Sequence, residues 1–211
     1  MPSADRIQAP DLPELEPRRI EDGDVDLSGA LVEQGTVRAH GVRIRESELR
    51  GVVVEAPGAT GLTLVDVILH DCGLSNLDGR DGMIWRVAAD HCRLVGLDLG
   101  AAEIGDLRVT GTSLELASFA GAELRDVSFE RVNLSEASFL EARLDHVRFI
   151  DCQLVGADFR GARCTACLIR NSSLDGVVGI DGLRGVRMAW PDVVASAAAL
   201  ATALGIEIID S

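Results

Sequence analysis

The chain has 211 residues and a net charge of −14, and all 20 of its basic side chains are arginines, so it repels nucleic acid and anionic membranes and favours basic protein partners. Aromatic residues are only 3% of the total, with no Tyr, which suits a narrow interior filled by Leu, Phe, Ala and Cys. No apolar run approaches the ~20 residues of a membrane span, and the first 24 residues contain no signal-peptide core, so the expected location is the cytoplasm.

Residues 1–24 carry Pro2, Pro10, Pro13 and Pro17 among seven acids and three arginines, which predicts an extended or disordered N-terminal arm, part of it covering the first repeats. A repeating pattern begins near Val25–Leu27 and continues through Ala30–Val32 and Val37. It then slips by two residues before Val42–Ile44, which predicts a bulge or small loop around Arg38 to Gly41.

From Ile44 to Leu174 an apolar or small residue stands at every fifth position, and only Gly79 among the 27 centres lacks a side chain. The best-formed stretch places Leu114, Phe119, Leu124, Phe129, Leu134, Phe139, Leu144, Phe149, Leu154 and Phe159 at centres. A second small or apolar set, such as Ala117, Ala122, Val127, Val132 and Ala137, stands two residues before each centre. A period of five with two inward positions fits neither a helix at 3.6 nor a strand at 2. It fits one side of a solenoid.

The units "ADF" at Ala157–Phe159 and "VNL" at Val132–Leu134 resemble the A(D/N)LXX repeat of the pentapeptide-repeat family. The resemblance implies an all-β solenoid, a right-handed quadrilateral β-helix over residues 25–178, in which four units make one coil and residues 20 apart stack. Sorted this way, the centres form four self-consistent columns. Side 1 carries Ile44 through Leu124 to Cys164, and side 2 Leu49 through Phe129 to Ile169. Side 3 carries Val54 through Leu134 to Leu174, and side 4 Ala59 through Phe139 to Phe159. Phe then falls only on the opposite sides 2 and 4. Side 4 departs from the repeat at Pro57, Gly58, Ala59 and Gly61, and again from Asp78 to Gly82, which predicts irregular backbone there.

Residues 179–211 change character. Pro191 suits a first helical turn, Val193, Ala197, Leu200 and Leu204 share one face of a helix over about 191–204, and Gly205 is placed to end it. Ile206, Ile208 and Ile209 then form a short extended piece. Such a helix covers the open end of a solenoid, and by resemblance to the family it also forms a homodimer through those four residues.

Nothing in the sequence assembles a catalytic or cofactor site: the four His are scattered, and no phosphate loop or paired metal-ligand spacing occurs. Of the five Cys, Cys72, Cys92, Cys152 and Cys167 fall two before a centre and Cys164 on one, which reads as small hydrophobes, not as a metal or redox site. What remains is a row of acids on side 1. Glu46, Asp66, Asp106 and Asp126 stand two after a centre, and Glu103, Glu123 and Asp145 flank them. Like charges stacked at ~4.8 Å repel, and a repulsion tolerated without structural benefit points to a partner-binding surface. By resemblance to the fluoroquinolone-resistance, Qnr-like members of the family, that partner is DNA gyrase, bound by mimicry of the DNA duplex. The repeat carries about one net charge per 5 Å at the strand spacing, against one per ~1.7 Å in DNA, so any mimicry is local. A scaffold or interaction module with a different partner fits the same residues.

Overall fold

The computed structural model describes residues 7–55 and 61–209. Among them are twelve strands: β1 (Glu16–Pro17), β2 (Gly23–Ser28), β3 (Ala30–Glu55), β4 (Thr63–His70), β5 (Met83–Asp90), β6 (Glu103–Thr110), β7 (Glu123–Glu130), β8 (Arg143–Asp145), β9 (Arg148–Ile150), β10 (Arg163–Thr165), β11 (Leu168–Arg170) and β12 (Arg187–Met188). Every pairing is parallel, and from β3 to β11 each residue lies opposite the one 20 positions on, as Ile44 on Leu64 and Ile104 on Leu124. Sides 1 and 2 are the two arms of each bent strand β4 to β7, and they separate into β8 and β9, then β10 and β11, in later coils. Sides 3 and 4 are turns joined by single bridges, Gly73 to Arg93 to Ser113 and Asp78 to Asp98 to Ser118. The result is the expected quadrilateral β-helix, of about eight turns.

The corners explain how five residues turn a side. Every described position two after a centre, from Glu46 to Gly176, has φ between 49° and 78°. For an L-residue that left-handed backbone costs roughly 1–2 kcal/mol, least for Asn and Asp. Six of these corners are Asp and two are Asn, yet Leu116, Ala101 and Ala166 occupy the same conformation. The ladder of inter-coil hydrogen bonds therefore dictates the corner, and the side chain only moderates its cost.

Inward residues fill the lumen in columns. Leu124 and Phe129 are both buried, on different sides. Phe119, Phe139 and Phe159 stack at 4.9 Å, Phe129 and Phe149 at 5.4 Å, and the two columns meet edge to face at 5.7–6.2 Å. Both geometries are favourable for aromatic quadrupoles.

The first turns shorten. Val25 lies opposite Val42, 17 positions on, and Glu16 opposite Ala30, 14 on. The expected slip is a one-residue irregularity: Gly23 faces Ala39 and Asp24 faces Gly41, so His40 is skipped inside a continuous β3. The stretch from Asp78 to Gly82 is more regular than its glycines suggest, keeping the Asp78–Asp98 bridge and a standard corner at Asp81. The remainder of that expectation, at Pro57, Gly58 and Ala59, lies outside the described residues, as does Pro2.

At the far end a short 3-10 helix (Ile180–Leu183) leads through β12 into α1 (Trp190–Ala195) and α2 (Ala197–Ala203). Two helices thus replace the single one expected over 191–204. They part at Ser196, a buried residue at φ −94°, ψ 3°; serine holds a helix weakly because its hydroxyl competes for backbone groups. Gly205 ends α2 as expected, with Gly205 N–H donating to Thr202 and Ile206 N–H to Ala201 in a Schellman closure. Residues 206–209 form no strand. α1 closes the ladder. At the corners between sides 2 and 3 the amide donates to the carbonyl 19 positions on, as Arg131 to Ile150 and Asp151 to Arg170. The last such amide, Asn171, has no further coil and donates to Asp192 Oδ1 at 3.1 Å instead. Among the described residues no helix is long and apolar enough to cross a membrane.

Candidate interaction surface

The side 1 acids form one axial row, and the structure gives each a distinct setting. Glu46 and Glu103 are exposed. Asp66 is 6% exposed, and Arg86 from the next coil reaches it in a bidentate pair at 2.6 and 2.5 Å. That hydrogen bond holds the Asp66 carboxyl below the usual carboxylate range, outweighing burial, which acts the other way. Glu123 is paired by Arg143, and Asp145 lies 3.9 Å from Arg125 and 2.9 Å from His146 Nδ1. Asp126 is half-buried, and its Oδ1 is buried with no hydrogen-bond partner among the described residues. The indole of Trp85 lies flat on Gly105, where a Cβ would sit 2.3 Å from the ring.

The N-terminal arm lies over this row. Glu16 and Pro17 pair with Ala30 and Leu31, and ahead of them two main-chain amides of the arm reach later coils. Asp11 N–H donates to Asp66 Oδ1 at 3.1 Å, and Gln8 N–H donates to Asp106 Oδ1 at 2.9 Å. Asp106 is left 9% exposed. Two of the acids read as a partner surface are thus engaged by the chain itself.

Charge is distributed unevenly around the rod. Over residues 62–181, sides 1 and 2 with their corners hold ten acids and eight arginines, whereas sides 3 and 4 hold nine acids and three arginines. On sides 3 and 4, Arg80 and Arg160 clasp Asp78 and Asp158 two residues away, and those bonds lower both carboxyls. Asp81, Glu115, Glu136, Glu141, Asp175 and Asp181 have no ion-pair partner among the described residues. Sequence reading by runs of like acids missed this half. A search for opposite charges 20 apart, such as Asp66 with Arg86 or Glu123 with Arg143, finds the neutralised side.

The thiols turn inward. Cys72 Sγ donates to the carbonyls of Leu49 and His70, and Cys92, Cys152 and Cys167 repeat that pattern from 23 and two residues back. Burial, the larger influence, pushes the Cys152 thiol up to about 11. His70 lies 3.7 Å from Glu48 and 3.8 Å from Asp90 on the outer surface, facing carboxylates and not the Cys72 thiol.

At the C-terminal end the four residues read as a dimer face part ways. Leu200 is half-buried against the solenoid core and Val193 is half-buried, whereas Ala197 is exposed and Leu204 is 67% exposed. Trp190, Val194, Ile206, Ile208 and Ile209 are exposed as well.

Residues 117–178 match a model described as the pentapeptide repeat region, and residues 92–135 one described as pentapeptide repeats in eight copies. No curated protein matches the sequence. Among solved structures, trypsin-treated QnrB1, a plasmid-mediated fluoroquinolone resistance protein, is similar with a TM-score of 0.65 at 22% identity, over 90% of this chain and 100% of that one. Full-length QnrB1 gives 0.59 at 19% identity over 88% and 99%. HetL of Nostoc sp. strain PCC 7120, a pentapeptide repeat protein involved in heterocyst differentiation regulation, gives 0.40 at 17% identity over 85% and 92%.

Proposed function

Starting from a chain that is a pentapeptide-repeat protein with the quadrilateral solenoid fold, we propose that it is a non-enzymatic interaction module that engages DNA gyrase as a duplex-like acidic rod and modulates its response to fluoroquinolones. The observation that carries this reading is the charge of sides 3 and 4, where six acids stand unpaired along a rigid axis. Regular spacing of fixed negative charge is what a basic DNA-binding saddle recognises. The fold similarity to QnrB1 along its whole length supports the same direction. Glu46 and Glu103 are the side 1 acids that are exposed and have no ion-pair partner among the described residues, so they extend the surface.

Supercoiling by purified gyrase, with and without a fluoroquinolone, tests the proposal. The chain at micromolar concentration is expected to change both the uninhibited rate and the drug-trapped cleavage. Reversing Glu115, Glu136, Glu141 and Asp175 to Lys removes the effect, while reversing Glu103, Asp106, Glu123 and Asp126 reduces it less. Unchanged gyrase behaviour with the wild type sinks the gyrase reading. The mean charge, about one per 5 Å at the strand spacing, favours a second reading in that case: an interaction module for a different basic partner.

We propose also that a second copy covers the apolar C-terminal end, making a homodimer. Leu204→Asp or Ile209→Asp then yields monomers in light scattering. Leu200→Asp instead loosens the cap, because that side chain faces the solenoid.

A further inference from the structure

The arm is bound by its main chain. Between Gln8 and Asp11 an extended segment advances about 10 Å, and between the corners of Asp106 and Asp66 lie two coils, about 10 Å at the strand spacing. Those two lengths agree, so amides three residues apart meet carboxylates 40 residues apart, with Arg86 between them locked onto Asp66. The carboxylates are more than nine-tenths buried, whereas the Gln8 and Asp11 residues that supply the amides are exposed. The arm is therefore held through its backbone amides, which leaves its side chains free to vary. The resident arm is also a poor electrostatic match, since its residues 7–15 carry Asp11 and Glu14 and no base beside the carboxylates of Asp66 and Asp106. Asp126, the next corner along, keeps a buried oxygen with no donor among the described residues.

We infer that the corner row Asp66, Asp106 and Asp126 is a docking track for an extended basic peptide segment of a partner protein, and that the N-terminal arm is its displaceable resident. The arm is rooted by the short β1 ladder and held beyond it by the two amide–carboxylate bonds, the kind of element that opens locally at small free-energy cost. A segment carrying lysine or arginine gains the same main-chain bonds and adds attraction to Asp106 and Asp126. This inference is independent of gyrase.

Hydrogen exchange on the full-length protein reads the resident state. The Gln8 amide is expected to exchange at least tenfold faster in Asp106→Ala than in the wild type, with the coil amides unchanged. Alanine is tolerated at this corner, because Ala101 and Ala166 hold the same backbone conformation. The full-length double variant Gln8→Pro, Asp11→Pro deletes both donors and frees the track. It should bind a synthetic peptide of residues 7–15 at least tenfold more tightly than the wild type does. The same peptide with Asp11→Lys and Glu14→Lys should bind more tightly still, and one N-methylated at positions 8 and 11 should not bind. Equal Gln8 exchange in Asp106→Ala and wild type overturns the inference. So does peptide binding that ignores N-methylation, or failure of both unmethylated peptides to bind the proline variant.

Discussion

The coils before Gly111 and those after it are built from the same repeat but are held together differently. In the later coils, five Phe stack in two interlocked columns, and the inward apolar residues from Leu114 to Phe159 are all buried. In the earlier ones, Ala89 and Gly79 stand where later coils place Phe, and a void of about 30 Å³ opens among Leu69, Leu94, Leu99, Val109 and neighbouring side chains. The N-terminal turns also shorten, and it is these coils that the arm straps together from Asp66 to Asp106. In a solenoid each coil contacts only its neighbours, so a local shortfall is not shared with the rest. Strapping is one way to offset it.

The comparison is broken most directly in the aromatic columns. Phe139→Ala, at the centre of both stacking and edge contacts, should cost about 3–5 kcal/mol and spread exchange through the later coils while the earlier ones keep their protection. If thermal melting shows a loss as large in the early coils, the two regions are one cooperative unit. Asp192→Ala removes the carboxylate that receives the last corner amide and should cost about 1–3 kcal/mol, with faster exchange at Asn171 as the local signature. Asp66→Asn should cost about 2 kcal/mol by leaving Arg86 without its carboxylate. The Asp66 carboxyl is lowered in the folded state, so its contribution is present above the ordinary carboxylate pKa of about 3.9 and is lost as pH falls through the folded value. The melting difference between wild type and Asp66→Asn should therefore be constant from neutral pH to about 5 and shrink below about 4. A difference that persists unchanged in strong acid would remove the charge from the explanation. The smallest effect sharpens the comparison: Ala89→Val, filling the void, should stabilise by up to about 0.7 kcal/mol at ~24 cal/mol per Å³. Ala157→Val, in the packed half, should instead destabilise by about 1–3 kcal/mol through overpacking.

Much of this architecture is legible because inward residues answer to a single geometric demand. Phe119, Phe139 and Phe159 could be assigned to one column from their spacing together with the four-unit coil that the family resemblance implies, and an irregularity around Arg38 to Gly41 from the break in that spacing. The corners were also written in the sequence, as Asp, Asn and Gly two after the centres, but they read more readily as a functional acid row. Asp66 and Asp106 then proved to serve the fold, one paired with Arg86 and both receiving the arm. The C-terminal helix was legible as an apolar periodicity. Its division at Ser196, and the turning of Leu200 inward and Leu204 outward, depend on how the end of the solenoid is shaped.

The sequence by itself determined the five-residue frame and the identity of nearly every core residue, since such a period leaves the chain few other ways to bury its apolar positions. Four units to the coil came with the family resemblance, and the 20-residue register of the strands agrees with it. Tertiary structure alone decided which acids remain available. Whether a carboxylate stands free depends on an arginine one coil away, or on a main-chain amide about 100 positions distant in sequence, as Gln8 is from Asp106. Main-chain amides are the same in every residue but proline, so no pattern of side chains announces where one will dock.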